Sequence, residues 1–376
     1  MKAAIYNAGH LTGKLAAKLA KQGYEVSAFY TLSESEQCFE SLPKDTRTLV
    51  IPPVGTDTVK ITDLHRNLQN YDVYCTDYRW VHNGNMPVWL KRIDFSKKWL
   101  TVFEYHVNDH CNINCKGCGH CANLFDKPSF TSYEVFKRDL YQIRELFDGV
   151  CRIRLLGGEP LLSPDLKRFV ALTRALFPET DVRLVTNGLL LTSVSQDLVN
   201  CLKACDVTVD VSLYPLLFPE KEKIIRFLKE NRIHYHITES SVFYRRFVPS
   251  GNCNMQRSFE SCFSSANHLL SNGRLAACAM PFSIEKLNEH FGLNIEESGW
   301  IDIFNENTDS FVITKKLSEP SDLCRYCSDK IEKYQWERCG TSNCKLDDWI
   351  FHSNNELVNF DRSKAERYDN NNENEE

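Results

Sequence analysis

Short apolar strands alternate with amphipathic helices between residues 98 and 238, and this alternation constrains the fold more than any other feature. The segments "CRIRLLG" at 151–157 and "VRLVTNG" at 182–188 are apolar enough to be buried on both faces of a sheet. Repeated strand–helix units predict a parallel sheet, as a barrel or as a doubly wound sheet. Active-site groups should then lie at the carboxyl ends of the strands.

The first 30 residues read as a strand, a helix and a second strand, with Gly9 and Gly13 at the helix start. This pattern predicts a Rossmann-like α/β domain over residues 1–96. A dinucleotide fingerprint requires G-x-G-x-x-G and an acidic residue at the end of the second strand. Asn7 replaces the first glycine and Tyr30 stands in place of the acid. We therefore expect a structural or protein-docking domain rather than a nucleotide site.

Composition excludes several classes of partner. The chain has 376 residues, 42% of them hydrophobic and 25% charged, with a formal net charge of −5. These values are typical of a globular protein of two or three domains and indicate neither a nucleic-acid partner nor an anionic membrane partner. The apolar runs are too short to span a bilayer, and glycine interrupts the N-terminus before a secretory segment is formed. We expect a cytoplasmic protein.

Most of the 16 cysteines fall into two groups. A reducing cytoplasm disfavours a disulfide framework, so closely spaced thiols indicate metal binding. We therefore expect two metal sites. The first group is Cys111, Cys115, Cys118 and Cys121, and the second is Cys253, Cys262, Cys278, Cys324, Cys327, Cys339 and Cys344.

The first group has the spacing C-x3-C-x2-C on a loop that leaves a predicted strand. Three thiolates can hold three corners of a cubane iron–sulfur cluster and leave one iron open for a ligand. With Cys121 as a fourth ligand, the alternative is a closed ferredoxin-like or zinc site. Ferredoxin runs use C-x2-C-x2-C-x3-C-P, and zinc sites pair C-x2-C units across a longer gap, so neither pattern matches well.

The cysteine triplet is followed about 40 residues later by "GGEP" after the next strand. Together, over residues 98 to 240, these motifs resemble the radical S-adenosylmethionine (radical SAM) superfamily. The resemblance implies a partial (β/α) barrel core over residues 97–245. It also implies a [4Fe-4S] cluster on Cys111, Cys115 and Cys118, whose open iron is chelated by S-adenosylmethionine.

The resemblance extends to the residues around the cofactor. The backbone of Gly157 and Gly158 and the side chain of Glu159 would receive the methionine ammonium group. The family often directs polar groups toward the cofactor or the substrate from the ends of later strands, where this chain has Thr186, Asn187 and Ser212. One departure is Gly117, because the family usually has an aromatic residue before the third cysteine, against the adenine.

The second cysteine group contains C-x10-G-x4-C, from Cys262 through Gly273 to Cys278, and then Cys324 and Cys327. A glycine four residues before a cysteine suits a tight hairpin. The pattern resembles the SPASM and twitch extensions of radical SAM enzymes, which implies a small cysteine-rich domain over residues 246–352. We expect an auxiliary [4Fe-4S] cluster on these four cysteines. Open alternatives are a zinc ribbon on the same four thiols and a second cluster that uses Cys253, Cys339 and Cys344.

The resemblance implies a radical SAM enzyme that cleaves S-adenosylmethionine reductively and abstracts hydrogen from a substrate. Rossmann-like domains accompany enzymes of nucleotide-sugar pathways, so we expect epimerisation or dehydrogenation of a sugar or related metabolite, with Cys253 or Cys121 as a hydrogen donor. The alternatives are a peptide-modifying maturase and a non-catalytic electron-transfer protein. Expected partners are a small-molecule or peptide substrate and a reductant such as flavodoxin or ferredoxin. Residues 353–376 are polar and acidic and predict a disordered tail.

Overall fold

The computed structural model describes residues 2–6, 12–30, 48–51, 71–77, 80, 87–125, 127–339 and 344–358. Its strands form three sheets of five, eight and three strands. No helix within the described ranges has both the length and the apolar character needed to cross a bilayer. The predictions that concern Asn7, Gly9 and the tail beyond residue 358 lie outside the described residues.

The first sheet is formed by the N-terminal part of the chain, in the order β2-β1-β3-β4-β5. Its pairs are parallel except for β4 with β5. Helix α1 (Thr12–Lys21) buries Leu15 and Leu19, and the predicted strand, helix and strand are all present. The Rossmann-like assignment remains a prediction. The strands are β1 (Lys2–Tyr6), β2 (Glu25–Tyr30), β3 (Thr48–Ile51), β4 (Asp72–Thr76) and β5 (Leu90–Arg92).

The central sheet has the order β10-β9-β8-β7-β6-β12-β13-β14. All pairs from β10 to β12 in this order are parallel, and the last two pairs are antiparallel. Its strands are β6 (Trp99–Asn108), β7 (Gly149–Gly157), β8 (Asp181–Thr186), β9 (Thr208–Leu213), β10 (Tyr235–Glu239), β12 (His268–Ser271), β13 (Arg274–Ala276) and β14 (Trp300–Asp302).

Four helices connect the consecutive parallel strands from β6 to β10. In α2 the buried residues Phe136, Leu140 and Ile143 recur at helical spacing, so one face packs against the sheet. The α/β architecture with a parallel sheet is confirmed, but the sheet does not close, because β10 and β14 form its edges. The helices are α2 (Tyr133–Leu146), α3 (Leu166–Leu176), α4 (Gln196–Ala204) and α5 (Lys221–Glu230).

The third sheet is antiparallel and joins β11 (Val242–Phe247), β15 (Cys327–Gln335) and β16 (Leu357–Val358). The disordered tail expected from residue 353 is therefore wrong for β16, whose backbone hydrogen-bonds to β15. The remaining helices are α6 (Met255–Glu260), α7 (Met280–Phe291) and α8 (Ser310–Leu317).

Part of the cysteine-rich C-terminal region belongs to the central sheet. Strand β12 pairs in parallel with β6, so the hairpin of β12 and β13 extends the central sheet. An unpaired edge of β6 would expose backbone donors and acceptors, and β12 satisfies them. The expected boundary at residue 245 falls inside β11. The tight turn predicted at Gly273 is confirmed, with positive φ at Asn272 and Gly273.

Candidate active site

A cavity of about 480 Å³ opens at the carboxyl ends of the central parallel strands. Residues of both cysteine groups lie on its wall, which brings together two parts of the chain that are far apart in sequence. The cysteines on the wall are Cys111, Cys115, Cys118, Cys262, Cys278 and Cys327.

The first three cysteines lie on the loop that follows β6. Burial raises the pKa of Cys115, and the nearby thiols of Cys118 and Cys111 raise it further. Three thiols that face one cavity fit a cubane cluster with one iron left open. Iron in a bound cluster would neutralise the negative charges of the thiolates, which the buried loop alone cannot stabilise. Within the described ranges, no three His, Cys, Asp or Glu side chains surround a single ion position.

The two glycines of "GGEP" pack directly on the entrance to the cysteine loop. The Gly158 and Glu159 amides donate to the carbonyls of Asn108 and His110, at 2.9 and 3.0 Å. A Cβ atom at Gly157 would collide with the Asn108 carbonyl, and one at Gly158 with the His110 carbonyl. The glycines are therefore required for this close approach of two backbones.

The Glu159 carboxylate is fully buried and already accepts three hydrogen bonds from the chain. Oε1 accepts from the Leu161 amide at 3.0 Å and from Thr186 Oγ1 at 2.7 Å, while Oε2 accepts from the Asn187 amide at 2.8 Å. Burial raises its pKa to about 7, and these donors oppose the shift. Glu159 therefore ties the end of β7 to the end of β8.

The polar residues at the ends of β8 and β9 were expected to face a bound cofactor or substrate, and they face the cavity. Thr186, Asn187 and Ser212 all line the cavity. Asn187 Nδ2 donates to Asn112 Oδ1 at 2.8 Å and approaches Cys111 Sγ at 3.6 Å, so it contacts the cysteine loop as well.

The four cysteines expected to hold an auxiliary cluster interact electrostatically with one another. Burial raises the pKa of Cys278, and the thiols of Cys262 and Cys324 raise it further. Cys327 is affected in the same direction by all three others. Segments that are about 60 residues apart in sequence thus bring their thiols close enough to interact electrostatically, and four thiols are the ligand set of a closed [4Fe-4S] cluster.

The two candidate hydrogen donors occupy different surroundings. Cys121 is fully buried in a hydrophobic cluster with Leu124, Phe247 and Trp349. Cys253 lies on a loop where its amide donates to the Arg325 carbonyl at 3.0 Å. Neither is among the described residues that line the cavity. Their role as hydrogen donors remains a prediction that these positions do not support.

The alternative of a second cluster on Cys253, Cys339 and Cys344 is not supported by their contacts. Cys339 Sγ and Cys344 Sγ are 3.3 Å apart, and Asn123 Nδ2 donates to both, at 3.3 and 3.2 Å. Cys339 is close enough to Cys115 to raise its pKa. This pair therefore lies beside the first cysteine group.

Residues 334–339 and 344–349 contact the cysteine loop, and the sequence did not predict this contact. Trp336 Nε1 donates to Cys115 Sγ at 3.1 Å, and Trp349 Nε1 donates to the Cys118 carbonyl at 2.9 Å. Gly117 has φ of 63°, and a Cβ there would collide with the Asp348 carbonyl. Asp348 and Tyr334 thus occupy the space next to Gly117, where the family pattern has an aromatic residue.

The cavity also has an ionic wall that motif reading missed. Glu104 on β6 and Arg154 on β7 are paired across the sheet and form an ion pair there. His120 lines the same region, and its Nδ1 lies 2.8 Å from Nε2 of His106. Burial lowers the pKa of His120 to about 3, and His106 and Arg154 lower it further. A strand alternation of apolar and charged residues in "FEYH" and "RIRLL" is the signal that could have identified this face.

Residues 101–234 match a family model described as a 4Fe-4S single cluster domain. The GTP 3',8-cyclase of Sulfurimonas denitrificans is 32% identical over 127 residues, which cover 31% of this chain and 37% of that protein. The GTP 3',8-cyclase of Sulfurovum sp. is 33% identical over 132 residues, which cover 33% and 38%. The similarity thus spans less than two fifths of the length of these relatives.

Solved structures align at lower identity. The structure of BtrN in complex with AdoMet and 2-DOIA aligns over 94% of that chain and 61% of this one, at 19% identity and a TM-score of 0.39. Streptococcus suis SuiB bound to the precursor peptide SuiA aligns over 71% of that chain and 61% of this one, at 12% identity and a TM-score of 0.30.

The cysteine triplet, the two-glycine turn after the next strand and the matched 4Fe-4S domain occupy one continuous stretch of the chain. These matches show a 4Fe-4S domain over residues 101–234, and this part of the chain is similar in sequence to GTP 3',8-cyclases.

Proposed function

We propose that this protein is a radical SAM enzyme that oxidises or epimerises a sugar or a related polar metabolite. When bound, the [4Fe-4S] cluster and S-adenosylmethionine supply a 5′-deoxyadenosyl radical, which takes a hydrogen atom from an unactivated carbon. Cys111, Cys115 and Cys118 are the proposed cluster ligands. The observation that carries the proposal is the common cavity, since both cysteine groups line it.

The residues around the first group suit the amino-acid end of S-adenosylmethionine. An ammonium group needs acceptors, and the backbone of Gly157 and Gly158 faces the cavity without side chains that would block an approach. Glu159 is proposed to act mainly through position, because its carboxylate holds Thr186 and Asn187 at the cavity edge. Trp336 and Trp349 contact the cysteine loop and are proposed to limit the access of water to it.

The second group suits a role in substrate oxidation. Removal of hydrogen by a radical takes one electron from the substrate, and a two-electron oxidation needs an acceptor for the second electron. Cys262, Cys278, Cys324 and Cys327 are the proposed ligands of a cluster that fills this role at the same cavity. The substrate's remaining proton leaves to a base or to water.

The wall between the two groups favours a polar substrate. Glu104, Arg154 and Ser212 present charged and hydroxyl groups to the cavity. Hydroxyl groups of a sugar can both donate to a carboxylate and accept from a guanidinium, which fixes orientation. This polarity is the support for a sugar or related metabolite.

The chemistry is tested with anaerobic protein reconstituted with iron and sulfide. With dithionite and S-adenosylmethionine we expect 5′-deoxyadenosine, and about eight iron atoms per chain if two clusters are bound. Cys115→Ala should abolish 5′-deoxyadenosine, whereas Cys278→Ala should keep it and lose about four iron atoms. Bound cluster without any cleavage of S-adenosylmethionine would instead indicate an electron-transfer protein.

The substrate class is tested by offering nucleotide sugars, free polyols and peptides to the same protein in deuterated water. Dehydrogenation yields a product two hydrogens lighter, and epimerisation incorporates one deuterium from solvent. If deuterium enters, the Cys253→Ala and Cys121→Ala variants test each candidate hydrogen donor. Turnover with peptides alone would overturn the sugar proposal.

A further inference from the structure

Arg246 is a buried cation beside the second cysteine group. It is 7% exposed and lines the cavity. Its Nε donates to the Ser328 carbonyl at 2.8 Å, Nη1 to the Ser261 carbonyl at 3.2 Å, and Nη2 to the Ser258 carbonyl at 2.8 Å. All of these acceptors are neutral. Among the residues that the structure describes, no carboxylate forms an ion pair with Arg246.

The acceptors belong to the segments that carry the proposed cluster ligands. Ser261 directly precedes Cys262, and Ser328 directly follows Cys327. The guanidinium therefore hydrogen-bonds to two segments that carry proposed ligands. Its positive charge lies next to both of them. Three bonds to carbonyls fix its position, so the charge cannot move away from the site.

The charge of Arg246 lies beside two of the proposed ligands, because its hydrogen bonds reach the residue before Cys262 and the residue after Cys327. The guanidinium also lines the same cavity as Cys262, Cys278 and Cys327. A fixed positive charge at this position favours negative charge on the nearby sulfur atoms. The same effect applies to any anion assembled on them.

We propose that Arg246 raises the reduction potential of the auxiliary cluster held by Cys262, Cys278, Cys324 and Cys327. This inference rests on the cluster assignment in the proposed function. Four thiolates give such a cluster a negative charge that grows on reduction, so a fixed positive charge nearby favours the reduced form. Arg246 therefore acts as a positioning residue that makes the second site a better electron acceptor.

The neighbouring Arg245 provides a matched control. It also lines the cavity, but its Nη2 lies 2.6 Å from Oε1 of Glu332, whose side chain is fully buried. The pair of Arg245 and Glu332 adds no net charge. Two adjacent arginines on one strand thus differ in whether a carboxylate neutralises them.

The test is a redox titration of the reconstituted full-length protein, followed by electron paramagnetic resonance. Added S-adenosylmethionine perturbs the signal of the first cluster and so identifies the auxiliary signal. We expect Arg246→Gln, which keeps an amide donor, to lower the auxiliary midpoint potential. Arg246→Lys should restore most of the wild-type value, and the double variant Arg245→Met with Glu332→Gln should leave it unchanged.

A second variant covers the case in which Arg246→Gln does not assemble the cluster. Ser261→Asp places a carboxylate at the guanidinium, because the Ser261 hydroxyl already accepts from Arg246 Nη2 at 3.0 Å, and should lower the same potential while Arg246 remains. An unchanged potential in the neutral variant, or in Ser261→Asp if the neutral variant does not assemble, overturns the inference about Arg246. Wild-type protein with only about four iron atoms, or Cys278→Ala that loses none, overturns the cluster assignment instead.

Discussion

At the scale of single residues, Glu159 links stability to pH. Its pKa is raised from an ordinary value of 4.5 to about 7, because burial outweighs the hydrogen bonds that it accepts. Between these values the folded protein holds more protons than the unfolded chain. The free energy of unfolding should therefore fall as pH rises from 4.5 to 7. The stability that depends on protonated Glu159 is fully present only below pH 4.5.

Glu159→Gln should remove this decline, because an amide does not titrate. The loss in wild-type protein between pH 5 and 8 should be at most about 3 kcal/mol. Urea unfolding of protein without S-adenosylmethionine, at both pH values, measures it. The half-exposed Glu239, which pairs with Lys221 at the surface, gives the control variant Glu239→Gln. Equal pH dependence in wild type and Glu159→Gln would contradict the assignment.

Gly158 is expected to tolerate no side chain. Gly158→Ala would drive a Cβ atom into the His110 carbonyl, so the strand end must shift away from the cysteine loop. We expect a cost of about 1 to 3 kcal/mol in thermal unfolding and a strong loss of 5′-deoxyadenosine formation. Gly13→Ala is the matched control, since nothing lies within 4 Å of its added Cβ. Equal activity in both variants would mean that the turn is not required.

At the scale of elements, local signals were readable from the sequence and distant pairings were not. The strand predicted at 151–157 lies within β7, and the hairpin at Gly273 forms as predicted, because both depend on nearby residues. The pairing of β12 with β6 joins residues that are about 165 positions apart, and no local pattern encodes it. The thiols of the second group were predicted from the spacing of their cysteines, whereas Arg246 belongs to no such pattern and was not predicted.

Helix α4 carries a thiol pair, Cys201 and Cys205, one turn apart. A hydrogen bond from Cys205 lowers the pKa of Cys201 to about 7, and the charge of Lys167 acts in the same direction. Iodoacetamide at pH 7.5 should therefore modify Cys201 faster than Cys253, whose pKa burial raises. Peptide mass spectrometry gives both rates. Cys205→Ala should slow the reaction of Cys201, and no change would contradict the proposed hydrogen bond.

At the scale of the whole molecule, one buried lysine connects the first sheet to the central one. Lys91 on β5 pairs with Asp148 at 3.0 Å and with Glu179 at 3.5 Å, and all three side chains are at most 11% exposed. Its ammonium group also lies 4.8 Å from the ring centre of Trp99. The contact between the two sheets therefore depends on charge as well as on apolar packing.

Lys91→Met should cost about 3 to 5 kcal/mol, because it leaves the buried Asp148 carboxylate without its lysine, while Glu179 keeps its pair with Arg144. Chemical denaturation measures the loss, and we expect the first sheet to become sensitive to proteases. Lys167→Met is the control, since its pair with Asp197 is exposed and should be worth less than about 1 kcal/mol. A similar small effect for both variants would show that the two sheets do not depend on this pair.

The contacts of Trp336 and Trp349 with the cysteine loop give the order of chain synthesis a role in maturation. The cysteine loop around Cys115 is made more than 200 residues before Trp336 and Trp349, which later cover it. A growing chain on the ribosome therefore presents open thiols for metal delivery until these two tryptophans have been made. Iron loading during translation should be easier than repair of a finished molecule whose metal has been lost.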